Sequence, residues 1–197
     1  MSGDQLKQFE ELQKQEKELS QNWIDYWFDF SGLYTWEFWF NLIMLVGPLI
    51  ALYFFLDRKR AFHIGFFGYS LHIIALYFDG FGTRNGLWAY PYKIFPFFPV
   101  NIGLDSSLIP VLYMLVYQWV LKRGKNYYLY ALLVSVFFAF LFKPIMEVMG
   151  LFKLGEGMNY FYLFLFYYVG AIAAKLIFTN IFFTAEKSTD ETSKEKK

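Results

Sequence analysis

The 197-residue chain has no cysteine. That absence removes disulfides, thiolate nucleophiles, zinc–thiolate sites and lipoprotein-type acylation together. Histidine is almost as scarce. His63 and His72 are the only two, and neither belongs to a His-x-x-x-His or His-Glu pattern, so no metal site is expected. There is no phosphate loop, no Gly-x-Ser-x-Gly elbow and no dinucleotide fingerprint, and therefore no expected cofactor. A glycine-rich filter and an Arg-rich voltage-sensor helix are also missing. Charged residues make up 18% of the chain and the net charge is +1, too weak a field to gather nucleic acid. The polar start Met1-Ser2-Gly3-Asp4 does not read as a cleavable signal peptide.

What the chain has instead is apolar surface: 57% of its residues are hydrophobic and 24% aromatic, against about 45–50% apolar in soluble domains. Five long stretches carry almost no charge, at about residues 37–56, 61–79, 100–121, 126–149 and 158–183. Each approaches the roughly 20 residues that cross a hydrocarbon core of about 30 Å. The expected fold is an all-α integral membrane bundle of five transmembrane helices over residues 37–183. Before it, residues 1–36 hold Leu6, Phe9, Leu12, Leu19, Trp23, Trp27 and Phe30, mostly at steps of three, four or seven. That spacing predicts an amphipathic helix lying in the headgroup region. The tail 184–197 alternates charges with Ser and Thr and is expected to be disordered.

Lysine and arginine placement gives an expected direction. Arg58, Lys59 and Arg60 follow the first span, and Lys122, Arg123 and Lys125 follow the third. The opposite loops hold only Arg84, Lys93 and Lys153. The positive-inside rule then puts the N-terminus outside and the C-terminus in the cytoplasm. Trp36, Trp39 and Trp88 would mark the outer interface and Trp119 the inner one. Lys175, near the inner end of the last span, would snorkel to the cytoplasm.

An ionisable side chain inside a span is costly and marks a candidate site. In this topology Asp79 ends the second span, and Asp105 lies about five residues, or roughly 8 Å, below the outer face. Lys143 and Glu147 sit near the outer end of the fourth span, four residues apart on one face. Asn41 is at the same level in the first span, and Asn101 is one turn above Asp105. The expectation is an outward-facing polar pocket floored by a buried Asp105–Lys143 ion pair, though pairs of this kind also serve only to lock a bundle. Pro110 and Pro144 lie beside these charges, and each frees a backbone carbonyl that can join a polar site. The connection from Gly80 to Pro99 holds three of the six prolines. It is expected to fold over the helix ends, with Trp88 and Tyr90 as a lid. His72 reads as a packing residue and His63 as an interfacial one. Gly170, Ala171, Ala173 and Ala174 suit close helix packing.

With those residues in place, the chain resembles a family of small multi-span membrane proteins from Bacillus-type spore-forming bacteria, one with no assigned activity. The resemblance rests on Asn41, Pro48, Asp79, Trp88-Ala89-Tyr90-Pro91, Asp105, Pro110, Tyr117-Gln118 and Pro144, and covers about residues 36–180. It implies a bacterial cytoplasmic membrane location. The chain departs from the family pattern at Lys143, which stands where an acid is expected before the proline. A fainter similarity is to the small-span lycopene cyclases. The functional expectation is a binding or transport-related component for a small polar ligand or ion, or a structural membrane component, with the lipid bilayer around it and a lipid as a further possible ligand. The alternatives are a membrane enzyme acting on a lipid or isoprenoid through Asp105 or Glu147, and a scaffold with a membrane-protein partner. The lack of a complete catalytic constellation places a binding or structural role above catalysis.

Overall fold

A computed structural model of the protein describes residues 1–181, the side chains of 177–180 excepted. It is an all-α bundle with four helices long and apolar enough to cross a membrane, Trp36–Phe55, Arg58–Arg84, Leu104–Arg123 and Tyr127–Val148. We call the regular helices α1 (Gly3–Phe30), α2 (Trp36–Phe55), α3 (Ala61–Arg84), α4 (Leu104–Arg123) and α5 (Tyr127–Val148). A fifth apolar helix, α6, begins at Tyr160 and is shorter, with its apolar part at Tyr160–Leu176. The end of the expected fifth span and the tail to Lys197 lie outside the described residues.

Side-chain caps set most helix starts. Thr35 accepts from Phe38 N–H at 3.3 Å, Asn126 from Tyr128 N–H at 2.9 Å, and Asn159 from Phe161 and Tyr162 N–H at 3.0 and 3.1 Å. Each satisfies donors that the first turn leaves open. Gly124 ends α4 with φ 61°, a left-handed position that suits glycine. One boundary differs from the expectation. α3 continues five residues past Asp79 to Arg84, because Gly80 and Gly82 sit inside its last turns instead of opening a loop.

α3, α4, α5 and α6 form a closed ring, each packed on its neighbours, and α2 lies outside against α4. Along their apolar stretches 61% of α4 is buried but only 17% of α2, which separates the central helix from the peripheral one. Small residues permit the close approaches. A Cβ at Gly68 would overlap the Met114 side chain, and one at Gly170 would press Ile74 at 3.2 Å. The outward faces of α2, α5 and α6 carry Ile43, Ile50, Phe54, Leu133, Leu141 and Val169, all exposed. Such a belt is what lipid would cover.

The ends of the bundle differ. At one end Asp57 pairs with Lys122 at 3.3 Å, beside Arg58–Arg60. The Gln118 side chain spans the close of α2 there, donating to Phe55 O at 3.0 Å and accepting from Asp57 N–H at 2.7 Å. Half-buried Lys175 has its Nζ 5.0 Å from the Tyr117 ring centre, a cation–π contact at this same end. At the other end a two-stranded antiparallel sheet, β1 (Trp88–Ala89) with β2 (Lys153–Leu154), joins the connection after α3 to the one after α5. α1 has no buried residue. It meets this end through Trp27 Nε1–H, which donates to Lys93 O at 2.8 Å, and through an exposed Arg84–Glu16 pair at 3.1 Å.

Candidate functional site

Asp79 is the hub of the loop end. Its Oδ1 accepts from Trp88 Nε1–H at 2.6 Å and from Tyr90 O–H at 2.8 Å, and its Oδ2 accepts from the Asn101 backbone N–H at 3.1 Å. One carboxyl on α3 thus holds two residues of the connection and the approach to α4. Gly82, one turn on, lets this happen: any Cβ there would overlap the Trp88 indole. Trp88 and Tyr90 are buried, so Trp88 is no interface anchor like Trp36 and Trp39, which stand half exposed.

Asn101 ties in α2. Its Nδ2 donates to Asn41 Oδ1 at 2.8 Å, while its Oδ1 accepts from Leu104 N–H at 3.2 Å and so caps α4. Asn41 in turn donates to Glu37 O at 2.9 Å. Every side-chain oxygen and nitrogen of these two amides has a partner, and together they join α2 to α4.

Lys143 is 1% exposed, a lysine sealed in the bundle. Its ammonium does not pair directly with Asp105 as expected. It donates to Tyr90 O–H oxygen at 2.8 Å and lies 4.0 Å from the centre of the Phe152 ring. Tyr90 therefore relays between Lys143 and Asp79, accepting from one and donating to the other. The direct pair fails because the tyrosine side chain descends from the connection and takes the ammonium first.

Asp105 is as deeply buried, yet its Oδ2 has no hydrogen-bond partner among the described residues. Its carboxyl neighbours that of Asp79, close enough to share a proton. The backbone explains its placement. Residues Leu104–Leu108 form a π turn in which Ile109 N–H bonds Leu104 O. The next donor in that pattern would be residue 110, but Pro110 has none. The Asp105 carbonyl is left open, and His72 Nδ1 meets it at 2.8 Å. A carbonyl only accepts, so Nδ1 carries the hydrogen. Pro144 repeats the device on α5: Phe138–Phe142 form a π turn closed by Lys143 N–H to Phe138 O, directly before the proline.

Between these groups lies a cavity of about 40 Å³. Asp79, Asp105, Lys143, Trp88, Tyr90, Tyr113 and Tyr167 supply its polar lining, and Ile74, Phe78 and Phe166 its apolar side at the α3–α6 seam. That is room for roughly three waters or one small ion. The structure brings Asp79, Trp88, Tyr90, Asp105 and Lys143 to the cavity, and Asn41 and Asn101 to its shoulder.

The chain matches no family model, no curated protein and no solved structure.

Glu147 stands apart. It accepts from Leu154 N–H and from the Tyr160 hydroxyl, and does not line the cavity. Four residues of helix put it nearer the end of α5, where the 151–160 connection claims it. Tyr167 and Phe152 were not singled out in the sequence, since one aromatic among 26 Phe and 16 Tyr carries no signal. His72 did have one: it faces the carbonyl five residues before Pro110.

Proposed function

We propose that this is a multi-pass membrane protein whose Asp79–Asp105–Lys143 cluster binds a small polar or charged solute. The supporting observation is Asp105 Oδ2, buried and without a partner beside a small cavity. A bundle built only for rigidity gains nothing from such an oxygen, because a buried acceptor without a partner costs about 1–3 kcal/mol. Asn41, Asn101 and Asp79, in contrast, have the saturated bonding of structural ties. The cavity volume weighs against a lipid or isoprenoid substrate, and the off-site position of Glu147 removes one of the two acids such an enzyme would use. A scaffold role would rest on α1, whose outer face is bare.

In this reading the loop end faces outward and the basic end faces the cytoplasm, by the charge asymmetry already described. A bacterial cytoplasmic membrane follows from the family resemblance alone.

The testing experiment is the thermal unfolding of Asp105→Asn in detergent. Asparagine keeps the shape, removes the ionisable group and offers a permanent N–H to Asp79. A site kept for binding predicts a higher unfolding temperature than the parent protein. A lower one would mean that Asp105 serves as a lock, and would end this reading.

A further inference from the structure

The charge count of the cluster narrows its ligand. Two carboxylates, Asp79 and Asp105, face one ammonium, Lys143, and the ammonium is spent on Tyr90 at 2.8 Å. The Nδ1–H of His72 is directed to the Asp105 backbone carbonyl and not to either carboxylate. The remaining polar groups on the cavity are the Trp88 indole N–H and the hydroxyls of Tyr90, Tyr113 and Tyr167, none of them a cation. A proton shared by the two acids balances the cluster; once it leaves, one negative charge is uncompensated in a region of low dielectric, and a cation can take the proton's place.

We propose that the space between Asp79 and Asp105 is a binding site for a monovalent inorganic cation, with the Lys143 ammonium as its internal competitor. One positive charge neutralises the cluster, whereas a divalent ion would overshoot it. Among the described residues no trio of His, Cys, Asp and Glu gathers as a divalent or transition ion requires. The available donors are carboxylate and hydroxyl oxygens, which suit hard cations. Asp105 Oδ2 is the oxygen not already engaged. A cavity of about 40 Å³ admits a bare or singly hydrated ion and excludes most organic amines. Lys143 shares the same electrostatic well through Tyr90, so cation entry works against the ammonium and favours its displacement toward Phe152. The inference rests on the cluster being a binding site, and names what it binds.

The test uses the full chain in detergent at pH 8, with unfolding temperature followed against NaCl, LiCl and KCl, and choline chloride as the ionic-strength control. At about a hundredfold excess over Kd, one of the alkali ions is expected to raise the unfolding temperature by roughly 5–10 °C above choline. Asp105→Asn should abolish that response. Lys143→Met should lower the half-saturating concentration at least about tenfold; if that variant does not fold, ²³Na and ⁷Li relaxation on the parent protein, with and without excess KCl, reads the same site directly. Equal curves in all four salts, with no ion-specific relaxation, would overturn the proposal, as would an alkali-ion response that survives Asp105→Asn. A response to pH alone, indifferent to the salt, would also overturn it and assign the place to a proton. In either failure, a more stable Asp105→Asn protein leaves the cluster a binding site for another solute.

Discussion

His72 Nδ1–H donates to the Asp105 carbonyl at 2.8 Å, at the position where Pro110 withholds the N–H that would otherwise fill it. The pair links α3 to α4 at the depth of the cavity and fixes the backbone that carries the Asp105 carboxyl.

Losing that donor leaves a buried carbonyl unsatisfied. His72→Ala is expected to destabilise the protein by about 1–3 kcal/mol. In a Pro110→Ala background the new amide supplies the missing hydrogen, so the cost of His72→Ala should fall by at least half. A double-mutant cycle on unfolding free energies measures this coupling. Additive effects would show that the carbonyl is not shared between the two positions.

Asp79 and Asp105 are both buried acids, but their neutralisation should have opposite signs. Asp79 accepts three hydrogen bonds, and an asparagine can only accept at one of its two terminal atoms. Asp79→Asn is therefore expected to cost about 2–4 kcal/mol, while Asp105→Asn raises the unfolding temperature. Side-by-side thermal melts decide it, and a shared sign would contradict the division into hub and open oxygen.

At Gly82 a methyl group has no room beside Trp88. Gly82→Ala should displace the indole, break its bond to Asp79, and cost about 1–3 kcal/mol. Hydrogen exchange at 87–92 should accelerate more than at 113–118, where the Tyr117 packing is untouched. Uniform acceleration would mean general loosening of the bundle.

Lys93 lies in the connection outside the spans, with its Nζ 3.8 Å from the Trp23 ring centre. Burial pushes its amine down from 10.5 to about 8, with Asp79 pulling partly the other way. The unfolded chain then binds one more proton than the folded one between about pH 8 and 10.5, so stability rises with pH across that window. Trp23→Ala uncovers the amine and should flatten the rise, as should Lys93→Met. Parallel pH–stability curves for all three proteins would exclude Lys93 as the source.

The all-α class, four of the five expected long apolar helices, and the burial of Asp79, Asp105 and Lys143 are legible in the sequence, because apolar runs and the charges inside them leave one-dimensional marks. Pairing is not. Lys143 and Asp105 have opposite signs and similar depth, which suggests a direct bond; that Tyr90 intervenes depends on where a non-helical segment comes down. Glu147 shares a face with Lys143 by spacing, yet Leu154 and Tyr160 take it through a loop that periodicity does not describe. The π turns fall between these cases. Each proline announces an orphaned carbonyl, but only the packed bundle shows that a histidine meets one of them.

The Lys93 carbonyl receives both Trp27 Nε1–H at 2.8 Å and the Ser31 hydroxyl at 3.3 Å, and its N–H donates back to Ser31 at 3.0 Å. Three residues earlier in the same strap is Tyr90, the side chain that separates the Lys143 ammonium from Asp79. A helix outside the bundle is thereby tied, through three hydrogen bonds and three residues of backbone, to the hydroxyl that stands between cation and anion.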